Sequence, residues 1–227
     1  MAGPWYATPL HGRWEALGAQ LTEMDGWQVP ERFGDGAAEA RAAREGVALG
    51  DETPRAKLLV QGEEAAAAVA AATGLAAPRV GDVSGGRVTA CGLRPDLLLV
   101  AAGPGEGEGI LKTLEQAAAA AAGLVTVTDV THGRFEYRIV GPESPRLLSK
   151  VCGLDFDDDA FPDRRCRETS VARVKALVVR IDTGGRPAYR VLGGRALGAY
   201  VWDTLMEAGA GLGIAPIGAA ALRELEA

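Results

Sequence analysis

Apolar residues recur along the chain in two rhythms. Leu10, Trp14, Leu17 and Leu21 fall at helical spacing behind Thr8-Pro9, a hydroxyl cap followed by proline at the first helical position. That predicts a helix running to about Met24-Asp25. A second helix is expected over about Gly36 to Glu45, with Glu39, Arg41 and Arg44 on a solvated face. Beyond it the periods mix. Lys57–Gln61, Arg87–Cys91, Asp96–Ala101, Leu124–Val130, Phe135–Val140, Ala172–Ile181 and Pro187–Leu192 read as strands. Glu63–Ala72, Gly107–Ala122, Glu143–Val151, Leu197–Ala208 and Ile217–Glu226 read as helices.

The pattern occurs twice. Leu58-Leu59-Val60-Gln61-Gly62-Glu63-Glu64 echoes Tyr137-Arg138-Ile139-Val140-Gly141-Pro142-Glu143 at an offset of 79 residues, and Thr73-Gly74-Leu75 falls on Cys152-Gly153-Leu154. A second echo, at an offset of 91, sets Asp96–Val100 and Thr113-Leu114 against Pro187–Val191 and Thr204-Leu205. Strand, helix, strands, helix, repeated, predicts an α+β fold of two related lobes of mixed sheet with helices. The expected division is an N-terminal helical segment, 1–54, completing the lobes, a first lobe over 55–131 and a second over 132–227.

Composition narrows the function classes. Of 227 residues, 48% are hydrophobic and 24% charged, the balance of a globular protein. A net charge of -6 without a Lys/Arg stripe gives no footing for nucleic acid. The longest apolar run, Ala117–Ala122, is too short for a bilayer, so no membrane partner is expected. Three cysteines without paired spacing read as reduced thiols of a cytoplasmic protein, and the opening residues carry no leader pattern.

Few segments invite chemistry. Gly103–Gly109 follows a strand and precedes a helix, but it matches no phosphate-loop pattern, and Glu106 and Glu108 would repel phosphate there. Asp155–Asp159 lacks the glycine and distal glutamate of a calcium loop and reads as a solvated turn; no metal site is expected. His11 and His132 have no local nucleophile to serve, and Cys91 reads as a packed strand residue. The residues marked out by type are Asp25, Trp27, Phe33, Asp51, Tyr189 and Arg190. Trp27 and Phe33, in an irregular stretch, could line a flat ligand's pocket or plug the core.

Several segments, in order, resemble the glycine-cleavage T-protein family, the tetrahydrofolate-dependent aminomethyltransferases. Thr8-Pro9-Leu10 with Leu17-Gly18-Ala19 is similar to the family's opening. Gly26-Trp27, Pro30 and Phe33-Gly34 resemble its G-W-x-x-P and (Y/F)-G stretch. Arg44–Asp51 is similar to R-x-x-V/A-G-L-F-D, and Lys57–Gly62 to K-(I/L)-x-V-x-G. Asp129-Val130-Thr131, Val140-Gly141-Pro142, Leu205 with Ala208-Gly209, and Pro216-Ile217-Gly218 follow in family order. The resemblance implies the folate-binding part of that family. The family's further C-terminal β-barrel would begin where the chain ends at Ala227, so this sequence is expected to lack it.

The departures are as informative. The resemblance implies a catalytic aspartate on a strand hairpin, yet Gly86–Pro95 holds no carboxylate before Asp96. The family's R-T-G-Y-T-G-E-x-G-(F/Y)-E reads here Arg180-Ile181-Asp182-Thr183-Gly184-Gly185-Arg186-Pro187-Ala188-Tyr189-Arg190, so its glutamates become Gly185 and Arg190. A carboxylate can accept a pterin's paired N–H groups, whereas an arginine only donates. The family's G-A-R-D becomes Ala220-Ala221-Leu222-Arg223. Gly92–Val100 is similar to a leucine-rich strand of the small non-catalytic subunit of heterotetrameric sarcosine oxidase.

These observations lead to an aminomethyltransferase-like protein that has lost the usual carboxylates. It would act as a non-catalytic subunit bound to a partner protein, or through a repurposed small-molecule pocket in which Arg190 favours an anion. The alternative is an active one-carbon transferase that keeps tetrahydrofolate and uses Asp25 as a substitute acid. On either reading Trp27, Phe33, Asp51, Asp182, Tyr189 and Arg190 are the expected ligand-binding residues.

Overall fold

The computed structural model describes residues 6–226; residues 1–5, where a leader pattern would begin, lie outside them. The chain begins with β1 (Tyr6–Ala7), α1 (His11–Trp14), β2 (Ala19–Met24), β3 (Trp27–Phe33), α2 (Gly36–Glu45) and β4 (Val47–Asp51). The long first helix of the sequence reading is therefore one short turn of helix and a hairpin. Gly18, at φ 67°, turns the chain into β2, and Asp25-Gly26, at φ 51° and 76°, closes a two-residue turn pairing Met24 with Trp27. Asp-Gly between alternating residues was the available signal; Leu17 and Leu21, counted toward a helical stripe, are exposed.

Next come β5 (Ala56–Gln61), α3 (Ala65–Thr73), β6 (Val83–Gly85), β7 (Thr89–Arg94), β8 (Leu97–Ala102), α4 (Gly107–Ala120) and β9 (Thr126–Asp129). The remainder is β10 (Arg134–Val140), α5 (Ser144–Val151), β11 (Cys166–Val171), β12 (Val174–Arg180), β13 (Ala188–Gly194), α6 (Gly198–Gly209), β14 (Ile214–Ile217) and α7 (Ala219–Glu226). The chain divides into two units. The first holds the described residues through Pro54, Arg134–Asp163 and Glu168 onward; the second holds Arg55–Gly133 and Arg164–Arg167.

A six-stranded sheet runs β11-β12-β13-β10-β4-β14, lying in the first unit but for the opening residues Cys166 and Arg167 of β11; the first unit also holds a three-stranded sheet β1-β3-β2. One face of the large sheet presents Leu49, Phe135, Tyr137, Ile139, Tyr189 and Val191 to the apolar sides of α5 and α6. Trp202 meets Tyr137 and Trp14 edge-on at 5.3 and 5.4 Å, and all three are essentially solvent-free. Each such aromatic buries about 200 Å², on the order of 5 kcal/mol of transfer free energy. The opposite face carries Ala48, Val140, Ala188 and Ile217 against Ala43 of α2 and Ala221 of α7. Glu39 of α2, expected in solvent, is buried: its carboxylate accepts from Phe33 N at 2.6 Å and Gly218 N at 2.7 Å. Two backbone donors thus satisfy one buried acid.

The second unit has a five-stranded sheet, β6-β7-β8-β5-β9. Leu58, Val60, Ala90, Leu98 and Val100 pack on Ala65 and Val69 of α3 and Leu114 of α4. Alanine lets α3 lie close and costs no side-chain entropy. Gly74, at φ 70°, terminates it.

The repeat read from sequence is realised residue by residue. α3 and α5 begin at Ala65 and Ser144, 79 apart, and α4 and α6 at Gly107 and Gly198, 91 apart. The strand orders correspond as β6-β7-β8-β5-β9 to β11-β12-β13-β10-β4. The outer strand of each series is exchanged: β4 precedes β5 in the chain but pairs with β10, and β9 precedes β10 but pairs with β5. The fold is α+β, two related lobes of mixed sheet with helices.

Candidate functional site

Four charged side chains share one face of the six-stranded sheet. Side chains alternate along a strand, so Glu136 and Arg138 of β10 point away from Phe135, Tyr137 and Ile139. In register, Arg190 of β13 stands directly opposite Arg138, and the backbone N of Glu52 donates to the Glu136 carbonyl at 2.9 Å. Arg190 Nε donates to Glu52 Oε2 at 2.8 Å and lies 3.4 Å from Glu136 Oε1. Arg138 donates through Nη2 to Thr183 Oγ1. Glu136 is 0% exposed, Arg138 2% and Arg190 6%. Opposite charges pair here, which is what allows charge at this depth.

Of the residues marked in the sequence, Arg190 belongs to this quartet. Asp51 ends β4 with its side chain toward the opposite face, and its Oδ1 accepts from Thr53 N at 3.0 Å. Thr53 Oγ1 in turn accepts from Glu136 N at 3.2 Å. Tyr189 lies on the aromatic face beside Phe156 and Phe161, with the Arg180 guanidinium 5.6 Å from its ring centre. Burial pushes its phenol up to about 12. Asp182 clasps Arg180 at 2.9 and 3.0 Å. That contact, then Asp158, holds the buried guanidinium's pKa above the usual value against the effect of burial. Asp158, in the acidic run read as a solvated turn, thus reaches a buried partner at 2.7 Å.

Phe33 plugs the apolar core, edge-on to Trp14 at 5.7 Å. Trp27 packs tilted against Tyr6 at 5.4 Å, with Arg195 5.7 Å from its ring. Asp25 is exposed at the tip of the β2–β3 hairpin, in a different sheet from the strands that carry the quartet. Sequence reasoning missed Glu52, Glu136 and Arg138. Their alternation with Phe135, Tyr137 and Ile139 fits a strand with one wet face, and only the tertiary structure buries both faces.

In the second unit, β7 reads Thr89-Ala90-Cys91-Gly92-Leu93-Arg94, a strand without a carboxylate. The glycine-rich connector starts α4 with Glu106 paired to Arg87 at 3.2 Å. His11 and His132 are exposed. Among the described residues no three His, Cys, Asp or Glu side chains gather as a metal site, and no helix is long and apolar enough to cross a membrane.

Residues 10–227 match the sequence pattern of the GCVT N-terminal domain. The chain belongs to that family. The aminomethyltransferase of Saccharopolyspora erythraea is 27% identical over 223 residues, which take in 93% of this chain and 60% of that protein. This GCVT-family chain therefore spans about three fifths of that relative's length. Glycine cleavage system aminomethyltransferase T from Bartonella henselae superposes with a TM-score of 0.82 at 18% identity, over 97% of this chain and 62% of that one, a likeness of fold. A chain of the heterotetrameric sarcosine oxidase from Corynebacterium sp. U-96, in complex with pyrrole 2-carboxylate, superposes with a TM-score of 0.71 at 25% identity, over 92% of this chain and 96% of that one.

Proposed function

We propose that this GCVT-fold chain is a non-catalytic subunit that works in complex with a partner protein and does not carry out tetrahydrofolate-dependent aminomethyl transfer. The observation that carries the reading is the state of Arg190. At the position where the family resemblance implies a glutamate, this chain has a guanidinium clamped between Glu52 and Glu136. A pterin edge needs an acceptor there, and Arg190 offers only donors, one of them already committed to Glu52. The quartet does not fit the cofactor. The absence of a carboxylate in β7, where the resemblance implies the catalytic acid, supports the same reading. So does the likeness to a chain of a heterotetrameric oxidase over 96% of that chain's length.

The test has two arms. Tetrahydrofolate and 5-formyl-tetrahydrofolate are titrated into the purified chain by calorimetry, with melting temperature followed in parallel. The expected result is neither heat nor stabilisation at millimolar ligand; micromolar binding, about 8 kcal/mol, would overturn the loss of folate chemistry. The chain is also tagged at its chromosomal locus, and the intact assembly is weighed by native mass spectrometry. A stoichiometric hetero-oligomer is expected, and a chain that purifies alone would overturn the subunit reading.

A further inference from the structure

We propose that Cys91 and Cys166 are a redox modification site, a dithiol in the second unit that small hydroperoxides convert reversibly to a disulfide. The inference is independent of the folate reading. The two thiols are 75 residues apart in sequence and come together through one detail of the topology. The chain returns to the second unit for only four residues, Arg164–Arg167. It is pinned along β6: Val83 N donates to Arg164 O and Cys166 N to Gly81 O, each at 2.9 Å. Asp82 and Arg165 pair through their backbones and also through their side chains.

This places Cys166 Sγ 3.5 Å from Asp82 O and 3.7 Å from Gly92 O, the carbonyl next to Cys91. The Cys91 side chain points away from Ala90, which faces α3 and α4, and so leaves the helix-covered face. The Cys91 side chain is the first of the groups that lower the Cys166 pKa, as its place beside the Gly92 carbonyl implies. The backbone between them has little room to drift, because a side chain at Gly92 would collide with the Arg79 carbonyl. Both cysteines are 2% exposed, which admits a small oxidant during local opening and disfavours a bulky one.

The electrostatics favour Cys166 as the attacking sulfur. The Cys91 side chain holds its pKa below the ordinary thiol value, and Arg165 and Arg167 add to the effect against burial and Asp82. The Cys166 thiolate attacks one oxygen of hydrogen peroxide, the O–O bond breaks, and the leaving hydroxide takes up a proton as water. The Cys91 sulfur then attacks the sulfur of the resulting sulfenic acid. An S–S bond forms, the S–O bond breaks, and the departing hydroxide leaves as water with the Cys91 proton. Two thiols and one peroxide give one disulfide and two waters. The sulfurs are oxidised and the peroxide is reduced.

The experiment exposes the folded full chain to hydrogen peroxide, quenches it, and counts free thiols after denaturation, with peptide mapping of any disulfide. Three titratable thiols should fall to one, with the cross-link between the Cys91 and Cys166 peptides, and dithiothreitol should restore three. The Cys152→Ser chain, altered in the other unit, should lose both remaining thiols. The Cys166→Ser chain should form no internal disulfide. Persistence of three thiols in the wild type, a disulfide through Cys152 or between chains, or direct passage to sulfinic acid would each overturn the proposal.

Discussion

Nε of Arg190 lies 2.8 Å from Oε2 of Glu52, although 138 residues separate the two in the chain. The contact exists because β4, which precedes the second unit, is laid beside β10 in the sheet of the first. Glu52 thereby faces Glu136 across one strand pair while Arg138 faces Arg190 across the next. Like charges directly opposite would destabilise the sheet, and the diagonal contacts between unlike charges offset this.

Arg190→Leu takes a buried guanidinium away from the Glu52 and Glu136 carboxylates, and breaking a buried pair in this way costs about 3–5 kcal/mol. Urea denaturation should show a loss of that order. The triple variant Arg190→Leu, Glu52→Leu, Glu136→Leu removes the two carboxylates as well and should recover most of it. Single and triple variants of equal stability would show that the carboxylates do not depend on Arg190.

Alkaline pH tests the aromatic face. The phenol of Tyr189 titrates at about 12 in the folded chain against an ordinary 10.0, because burial disfavours its anion. The native state therefore holds this proton longer than the unfolded state. The corresponding stability is complete below pH 10 and is lost as pH rises through 12, by about 1.4 kcal/mol per pH unit. Tyr137 is shifted upward by the same cause. The urea midpoint should fall between pH 10 and 11.5, and Tyr189→Phe should make that fall shallower. Its hydroxyl is buried without a hydrogen-bond partner, so the variant should lose little at pH 7.

What the sequence disclosed follows from what is local. The α2 boundaries, Gly36–Glu45, came from the start and stop of a helical pattern, and Asp35 caps it by accepting from Ala37 N at 3.0 Å. The repeat was legible because Gly62 and Gly141 each need a backbone shape that side chains rarely adopt. β4 and β14 escaped notice: Val47–Asp51 is buried throughout and lacks alternation, and Ile214–Ile217 is a four-residue strand containing a proline. Arg190 could be singled out by its departure from a family pattern. Glu52 and Glu136 could not, because nothing local says which charged residues a distant strand will face.

Gly62 and Gly141 give a paired test of the repeat. Their φ values are 144° and 129°, and a Cβ at either would run into a backbone carbonyl, Leu124 O or Gly46 O. Neither carbonyl belongs to a flexible side chain, so the clash has no cheap relief. Gly62→Ala and Gly141→Ala should each destabilise by about 2 kcal/mol or more. Gly133→Ala, where no atom lies within 4 Å of the added carbon, should be close to neutral by the same urea assay. An equal response at all three positions would mean that the two strand-to-helix turns do not depend on glycine.

Asp25 separates a turn residue from an acid. It occupies the first centre of a two-residue hairpin at φ 51°, followed by Gly26 at φ 76°. Such turns need positive φ at both centres, and asparagine, aspartate and glycine supply it at least cost. Asp25→Asn keeps the backbone preference and removes the carboxylate; Asp25→Val keeps neither. If the turn is the residue's whole role, Asn leaves the melting temperature within a degree or so, while Val costs about 1–3 kcal/mol of stability. The same pair, mixed with tetrahydrofolate and a methylamine donor, tests the acid directly. One-carbon transfer by the wild type that disappears in Asp25→Asn, at unchanged stability, would assign the carboxylate to chemistry. The exposed position at the hairpin tip predicts that no such difference is found, because nothing there excludes water from a reacting pair.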